Sequence, residues 1–179
     1  MKTEYKNNVA RYLWTLDYIG ESVLDVLCGK GHGTTILAGI CRETIGIDMN
    51  EDDIRRAKKT YMKKGLSFIC TDITRIERLG LFDSIIYFDA DIIDDDWKDE
   101  LAKIYNHMLV DDGNLIFSVP YRKFKETRSY FIGCKPNYFK QLDNTITPIE
   151  LLKDKENEDG ILLAILGKEK FQWMNRIHL

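Results

Sequence analysis

Three prolines among 179 residues leave little to punctuate the chain, and no low-complexity tract or internal repeat marks a linker, so residues 1–179 are expected to form a single domain. The four cysteines, Cys28, Cys41, Cys70 and Cys134, lie far apart with no C-x-x-C pair. That spacing argues against a disulfide framework or a zinc knot and for reduced thiols in a cytoplasmic protein. No apolar run approaches the ~18–20 residues that span a bilayer. The opening residues, MKTEYKNNVARYLW, contain no apolar core of a secretory signal, so none is expected. Charge of one sign is also lacking: 26 basic against 29 acidic residues give a net charge of −3. There is no global field to draw in nucleic acid, which is disfavoured as a partner.

What is present is a run of short apolar segments alternating with helical patterns, in a chain that is 44% hydrophobic. Val23–Leu27 is apolar except for Asp25 and reads as a buried strand. Gly29, Gly31 and Gly33 follow at alternate positions, and residues 34–40 (TTILAGI) read as the first turns of a helix. Strand, glycine loop and helix together bring backbone close to a ligand, because glycine permits positive φ and removes obstructing side chains. A helix start there also favours an anionic group. Residues 43–48 (ETIGID) form a second buried strand ending on Asp48, 17 residues beyond Gly31. A carboxylate at that place can accept from both hydroxyls of a ribose. The alternative is an acid that caps the next helix.

That next helix spans 51–64, acids first and bases last, with Gly65 as its stop. Further strands are expected at 66–70, 82–89 and 114–119, a helix at 95–109 and a turn at 111–113. An amphipathic helix is expected over 3–18, carrying Arg11 and Tyr12. Residues 121–147 are irregular, mix bases with aromatics, and read as a lid at the ligand edge or as a solvated basic face. Thr147-Pro148-Ile149-Glu150 fits a helix start. Ile161–Leu166 reads as a sixth strand and Phe171–Ile177 as an antiparallel seventh. Strands alternating with helices give an α/β fold with a parallel sheet.

The loop Asp25-x-x-x-Gly29-x-Gly31-x-Gly33 resembles motif I of the class I S-adenosylmethionine-dependent methyltransferases, and the likeness extends over roughly residues 5–167. Two places depart from the family pattern: Leu27 stands where its first glycine is usual, and Asp112 replaces a glycine before the fifth strand. The resemblance implies a three-layer sandwich on a mostly parallel seven-stranded sheet, order 3-2-1-4-5-7-6, with the last strand antiparallel. It implies S-adenosylmethionine as cofactor. The residues it would place at that cofactor are Arg11, Asp25, Gly29, Gly31, Gly33, Asp48, Met49, Asp72, Ile73 and Phe88. Arg11 would lie near the methionine carboxylate, or else be a solvated arginine. Met49 would lie against the adenine, and Asp72 would receive its amine or, alternatively, cap the turn that follows.

Because the sulfonium already activates the methyl group, the protein's task is to hold donor and acceptor in line. A base is needed only where the acceptor must lose a proton, and Asp89 and Asp91 are the candidates. The Asn/Asp-Pro-Pro-Tyr signature of many N-methyltransferases is replaced by Phe88-Asp89-Ala90-Asp91. That stretch looks like the Ile-Asp-Ala-Asp of metal-dependent O-methyltransferases, but Ser118-Val119-Pro120 stands where their further metal ligands fall, so no metal is expected. The expectation is a methyltransferase acting on a sugar or other small metabolite, as a monomer or homodimer. The alternatives are a non-catalytic cofactor-binding relic or partner subunit, and a nicotinamide dehydrogenase, which the glycine spacing disfavours.

Overall fold

The computed structural model describes residues 2–89, 103–120, 149–152 and 161–167. Five parallel strands form the sheet, in the order β3 (Leu66–Cys70), β2 (Glu43–Asp48), β1 (Ser22–Val26), β4 (Phe82–Tyr87) and β5 (Leu109–Pro120). β7 (Ile161–Gly167) pairs antiparallel with β5, and β6 (Ile149–Leu152) pairs antiparallel with β7. No helix among the described residues is long and apolar enough to cross a membrane.

Period-two alternation sorts the strand residues into two apolar faces. Leu24, Val26, Ile47, Ile85, Tyr87, Leu115 and Phe117 point one way, onto Ile76, Ile104, Tyr105 and Met108. Ile76 belongs to the 3-10 helix Ile73–Leu79, and the others to the helical segment 103–107 and its end. Val23, Ile86, Phe88 and Ile116 point the other way, onto α1 (Lys2–Thr15) and α2 (His32–Leu37). Ile54 and Ala57 of α3 (Glu51–Thr60) pack with Phe68 and Cys28 in a third cluster. Helices thus cover both faces of the sheet, giving three layers.

Asp83, at the start of β4, ties the amino end of β1 to its neighbour: its Oδ2 accepts from the Ser22 backbone N–H and hydroxyl at 2.8 and 2.9 Å.

Several boundaries differ from expectation. α3 closes at Thr60, four residues early, and Gly65 (φ 80°) turns the chain into β3. β5 begins at Leu109, which pairs with Phe82; the register then jumps to Ser84 opposite Asn114, so the turn residues 111–113 are absorbed as an irregularity inside the strand. Residues 149–152 are a strand and not a helix start, because Ile149 and Leu152 find partners in Leu163 and Ile161. A local capping signal lost there to tertiary pairing. Ile161–Gly167 is consequently the seventh strand in chain order, set between β5 and β6. The expected strand at 171–177, the stretch 121–147 and Asp91 lie outside the described residues.

Candidate functional site

The glycine loop crosses the carboxyl ends of β1 and β2. Its three glycines have three different surroundings. A Cβ at Gly29 would meet nothing within 4 Å, and the residue holds φ 52°. A Cβ at Gly31 (φ 80°) would strike the Phe68 ring at 2.6 Å and approach Ala57 at 3.1 Å. A Cβ at Gly33 would fall inside the Tyr12 ring. Gly29 therefore leaves room for a ligand, while Gly31 and Gly33 let α3 and α1 close onto the loop. Leu27, in place of the family's glycine, takes the same left-handed backbone (φ 59°) and turns its side chain into the apolar cluster on the opposite face. The turn survives at a cost of about 1–2 kcal/mol of backbone strain, and the leucine does not plug the loop.

Asp25 is wholly buried. Thr34 Oγ1 donates to its Oδ2 at 2.6 Å and Tyr12 OH to its Oδ1 at 3.0 Å. Burial lifts its pKa to about 7, against the pull of the two hydroxyls and helped by the nearby Asp48 charge. The same burial, with the Asp25 charge next, raises Tyr12 well above its ordinary value. Through these two hydroxyls the Asp25 carboxylate ties α1 and α2 to β1.

Asp48 is half-buried at the end of β2. Its Oδ2 accepts from the Gly29 N–H at 2.9 Å and its Oδ1 from the Asn50 N–H at 2.8 Å. Two backbone donors fix the carboxylate and leave two of its roughly four acceptor positions for a ligand. The helix cap is Asn50, whose side chain accepts from Asp52 and Asp53, so Asp48 is spared that task. Met49 beside it is 52% exposed, an apolar surface next to an open acid. Asp72 caps the 3-10 helix, accepting from the Thr74 N–H at 2.8 Å, and that bond holds its carboxyl below the usual range. Ile73 packs at the edge of the core cluster.

The other end of the site is built on Arg11. Its guanidinium is buried and meets Asp89 as a fork, Nη1 to Oδ1 at 2.6 Å and Nη2 to Oδ2 at 2.9 Å. It also donates to Ser118 Oγ at 3.1 Å and lies over the Phe88 ring, 5.0 Å from its centre. The edge of Tyr12 meets the same ring at 5.0 Å. Asp89 follows β4 in a left-handed conformation (φ 57°), and its own N–H donates to Ser118 Oγ at 2.8 Å. Both carboxylate oxygens of Asp89, one of the two expected proton acceptors, are engaged by the Arg11 fork. Arg11 is not the solvated arginine that the helix pattern allowed.

Thr34 and Ser118 are the partners that the sequence did not single out as site residues, whereas Tyr12 was paired there with Arg11. Thr34 and Ser118 are ordinary hydroxyls until the fold sets them, fully buried, against carboxylates. Among the described residues no group of three acids, cysteines or histidines is placed to hold a metal.

An anchored acid beside the glycine loop and a buried arginine beyond β4 are thus the polar groups that the fold sets along this edge of the sheet. The family model of the methyltransferase domain matches residues 19–176, and the chain belongs to that family. It is a class I S-adenosylmethionine-dependent methyltransferase. Among solved structures it is similar to the N-methyltransferase NodS from Bradyrhizobium japonicum WM9 in complex with S-adenosyl-l-homocysteine, with 21% identity, 93% of this chain and 88% of that one covered, and a TM-score of 0.67. It is similar to an rRNA methylase from Streptococcus thermophilus, with 14% identity, 90% and 95% coverage and a TM-score of 0.65. It is also similar to the plantazolicin methyltransferase BpumL in complex with SAH, with 16% identity, 94% and 89% coverage and a TM-score of 0.66. No curated protein matches the chain significantly.

Proposed function

We propose that this methyltransferase acts on a small-molecule acceptor, a sugar or other metabolite, and that its cofactor lies across the carboxyl ends of β1, β2 and β4. The observation that carries the site is Asp48: a half-buried carboxylate, fixed by the Gly29 and Asn50 N–H groups, beside the loop position where a side chain would have open space. In this reading Asp48 accepts from the ribose hydroxyls, Met49 covers one face of the adenine, and the backbone at Asp72 and Ile73 borders its edge. Gly29 leaves the passage open. Phe88 and Arg11 border the methionine end, where the guanidinium suits a carboxylate.

The cofactor supplies an electrophilic methyl group when bound. The chain supplies alignment: a rigid loop fastened from behind by Tyr12, Asp25 and Thr34, so that little ordering remains to be done on binding. A net charge of −3 supports a small acceptor over nucleic acid. The same reading treats the whole chain as one cytoplasmic domain, monomeric or homodimeric, and the β7–β6 edge as the end of the family's seven-strand order.

Two measurements test this. Calorimetry with S-adenosylhomocysteine should show micromolar binding. Release of S-adenosylhomocysteine from S-adenosylmethionine should be stimulated by one class in a panel of sugars, amines and other metabolites. Stimulation by RNA or a protein substrate, and by none of the small molecules, would overturn the acceptor class while leaving the cofactor site intact.

A further inference from the structure

Arg11 is arranged as a receptor for one carboxylate. Its two terminal nitrogens lie side by side on the oxygens of Asp89, and Ser118 and the Phe88 ring hold the guanidinium in place. Phe88 also meets Tyr12, which covers Gly33 and binds Asp25, so two aromatic side chains join this receptor to the glycine loop. The two halves of the ion pair are unequal. The Arg11 side chain is 5% exposed and that of Asp89 is 37% exposed. Asp89 also sits on a left-handed backbone that a non-glycine residue adopts at a cost. The cation is the fixed partner and the carboxylate the exchangeable one.

A guanidinium fork takes one bidentate carboxylate at a time, and a buried arginine cannot be left without an anion. Resting on the reading above, in which the methionine carboxylate goes to Arg11, we infer that Asp89 is an internal competitor for that place. The two carboxylates exchange one for one on Arg11. The affinity for the cofactor is therefore set below what Arg11 alone would give, and binding turns the Asp89 carboxylate out toward the acceptor side of the sheet mouth. Ser118 Oγ accepts from Arg11 and from the Asp89 backbone N–H, which hold the site in place, and its long 3.3 Å bond to Asp89 Oδ1 is given up in the exchange.

The test is calorimetry on the full chain with two probes. S-adenosylhomocysteine carries the carboxylate; 5′-methylthioadenosine is the same adenosine thioether without the amino acid. Asp89→Asn keeps the shape but weakens the competitor. Asp89→Gly removes it and relaxes the left-handed backbone, which offsets part of the cost of taking the anion from Arg11, and circular dichroism shows which of the two variants is folded for the titration. Both variants should bind S-adenosylhomocysteine at least about fivefold more tightly, the lower end of ordinary coupling between sites, and leave methylthioadenosine within about twofold. Unchanged or weaker S-adenosylhomocysteine binding in the variants, or an equal shift for both probes, overturns the inference. If the unaltered protein binds neither probe, the nucleoside reading falls and takes the inference with it. If it binds methylthioadenosine and Asp89 has no effect, only the inference falls.

Discussion

The region around Asp25 and the region around Asp48 sit on neighbouring parallel strands, and each centres on an acid beside the same glycine loop, yet their chemistry is opposite. Asp25 has no exposure, is met by two side-chain hydroxyls, and is pushed by burial toward protonation at neutral pH. Asp48 is half-buried, is met by two backbone N–H groups, and keeps acceptor positions to spare. Partners drawn from side chains of other elements indicate an acid that binds the protein to itself. Partners drawn from the local backbone, with an open side, indicate one held ready for something else. Two acids on neighbouring strands thus divide into one that fastens elements together and one with an open side.

Substitutions can break that division. Asp25→Ala should be the most damaging to stability: Tyr12 and Thr34 lose a buried acceptor and a cavity opens, for about 2–4 kcal/mol by chemical denaturation. A loss below ~1 kcal/mol would mean that α1 is not fastened through Asp25. The glycines sharpen the contrast. Gly33→Ala drives a methyl group into the Tyr12 ring, and should cost about 2–3 kcal/mol of stability through overpacking. Gly29→Ala meets no protein atom and should cost only about 1 kcal/mol for its positive φ, while losing about tenfold or more in S-adenosylhomocysteine affinity. Equal stability losses at the two positions would erase the distinction between packing and ligand space.

A pH dependence follows from Asp25. Its carboxyl titrates near 3.8 when unfolded and at about 7 when folded. Between those values the folded chain holds a proton that the unfolded chain has released, so this group's contribution falls as pH rises from ~4 to ~7 and levels off above, with a slope of up to about 1.4 kcal/mol per pH unit. Asp25→Asn, which keeps the shape without the charge, should flatten that slope in denaturation curves measured across the window. The smallest effect is expected at Leu27→Gly. Relief of left-handed strain and loss of a half-buried leucine oppose each other. The net change should stay within about 1 kcal/mol, with S-adenosylhomocysteine affinity unaltered.

The position of Asp48 was legible in the sequence because everything that sets it is local: a buried strand, an acid at its end, and a glycine loop at a fixed spacing. The fastening role of Asp25 was not. Alternation placed Asp25 opposite Leu24 and Val26, but which face would carry the ligand depends on where α1 docks. The same limit hid the Arg11–Asp89 pair, whose members are 78 residues apart, and the role of Ser118, 107 residues from Arg11. The three glycines look alike in sequence and separate only when Phe68 and Tyr12 arrive from β3 and α1. At the far edge the error ran the other way: Thr147-Pro148-Ile149-Glu150 carries a sound local signal for a helix, and pairing with β7 overrode it.

The most direct test of the account is a calorimetric titration of S-adenosylhomocysteine into Asp48→Ala, with Asp25→Asn in parallel. The account predicts that Asp48→Ala stays folded and loses binding by about a hundredfold or more, since the ribose hydroxyls lose a charged acceptor worth about 1.5–3 kcal/mol for each bond, while Asp25→Asn binds within a few-fold of the unaltered protein. Unchanged affinity in a folded Asp48→Ala protein, or a heavier loss in Asp25→Asn than in Asp48→Ala, would contradict it.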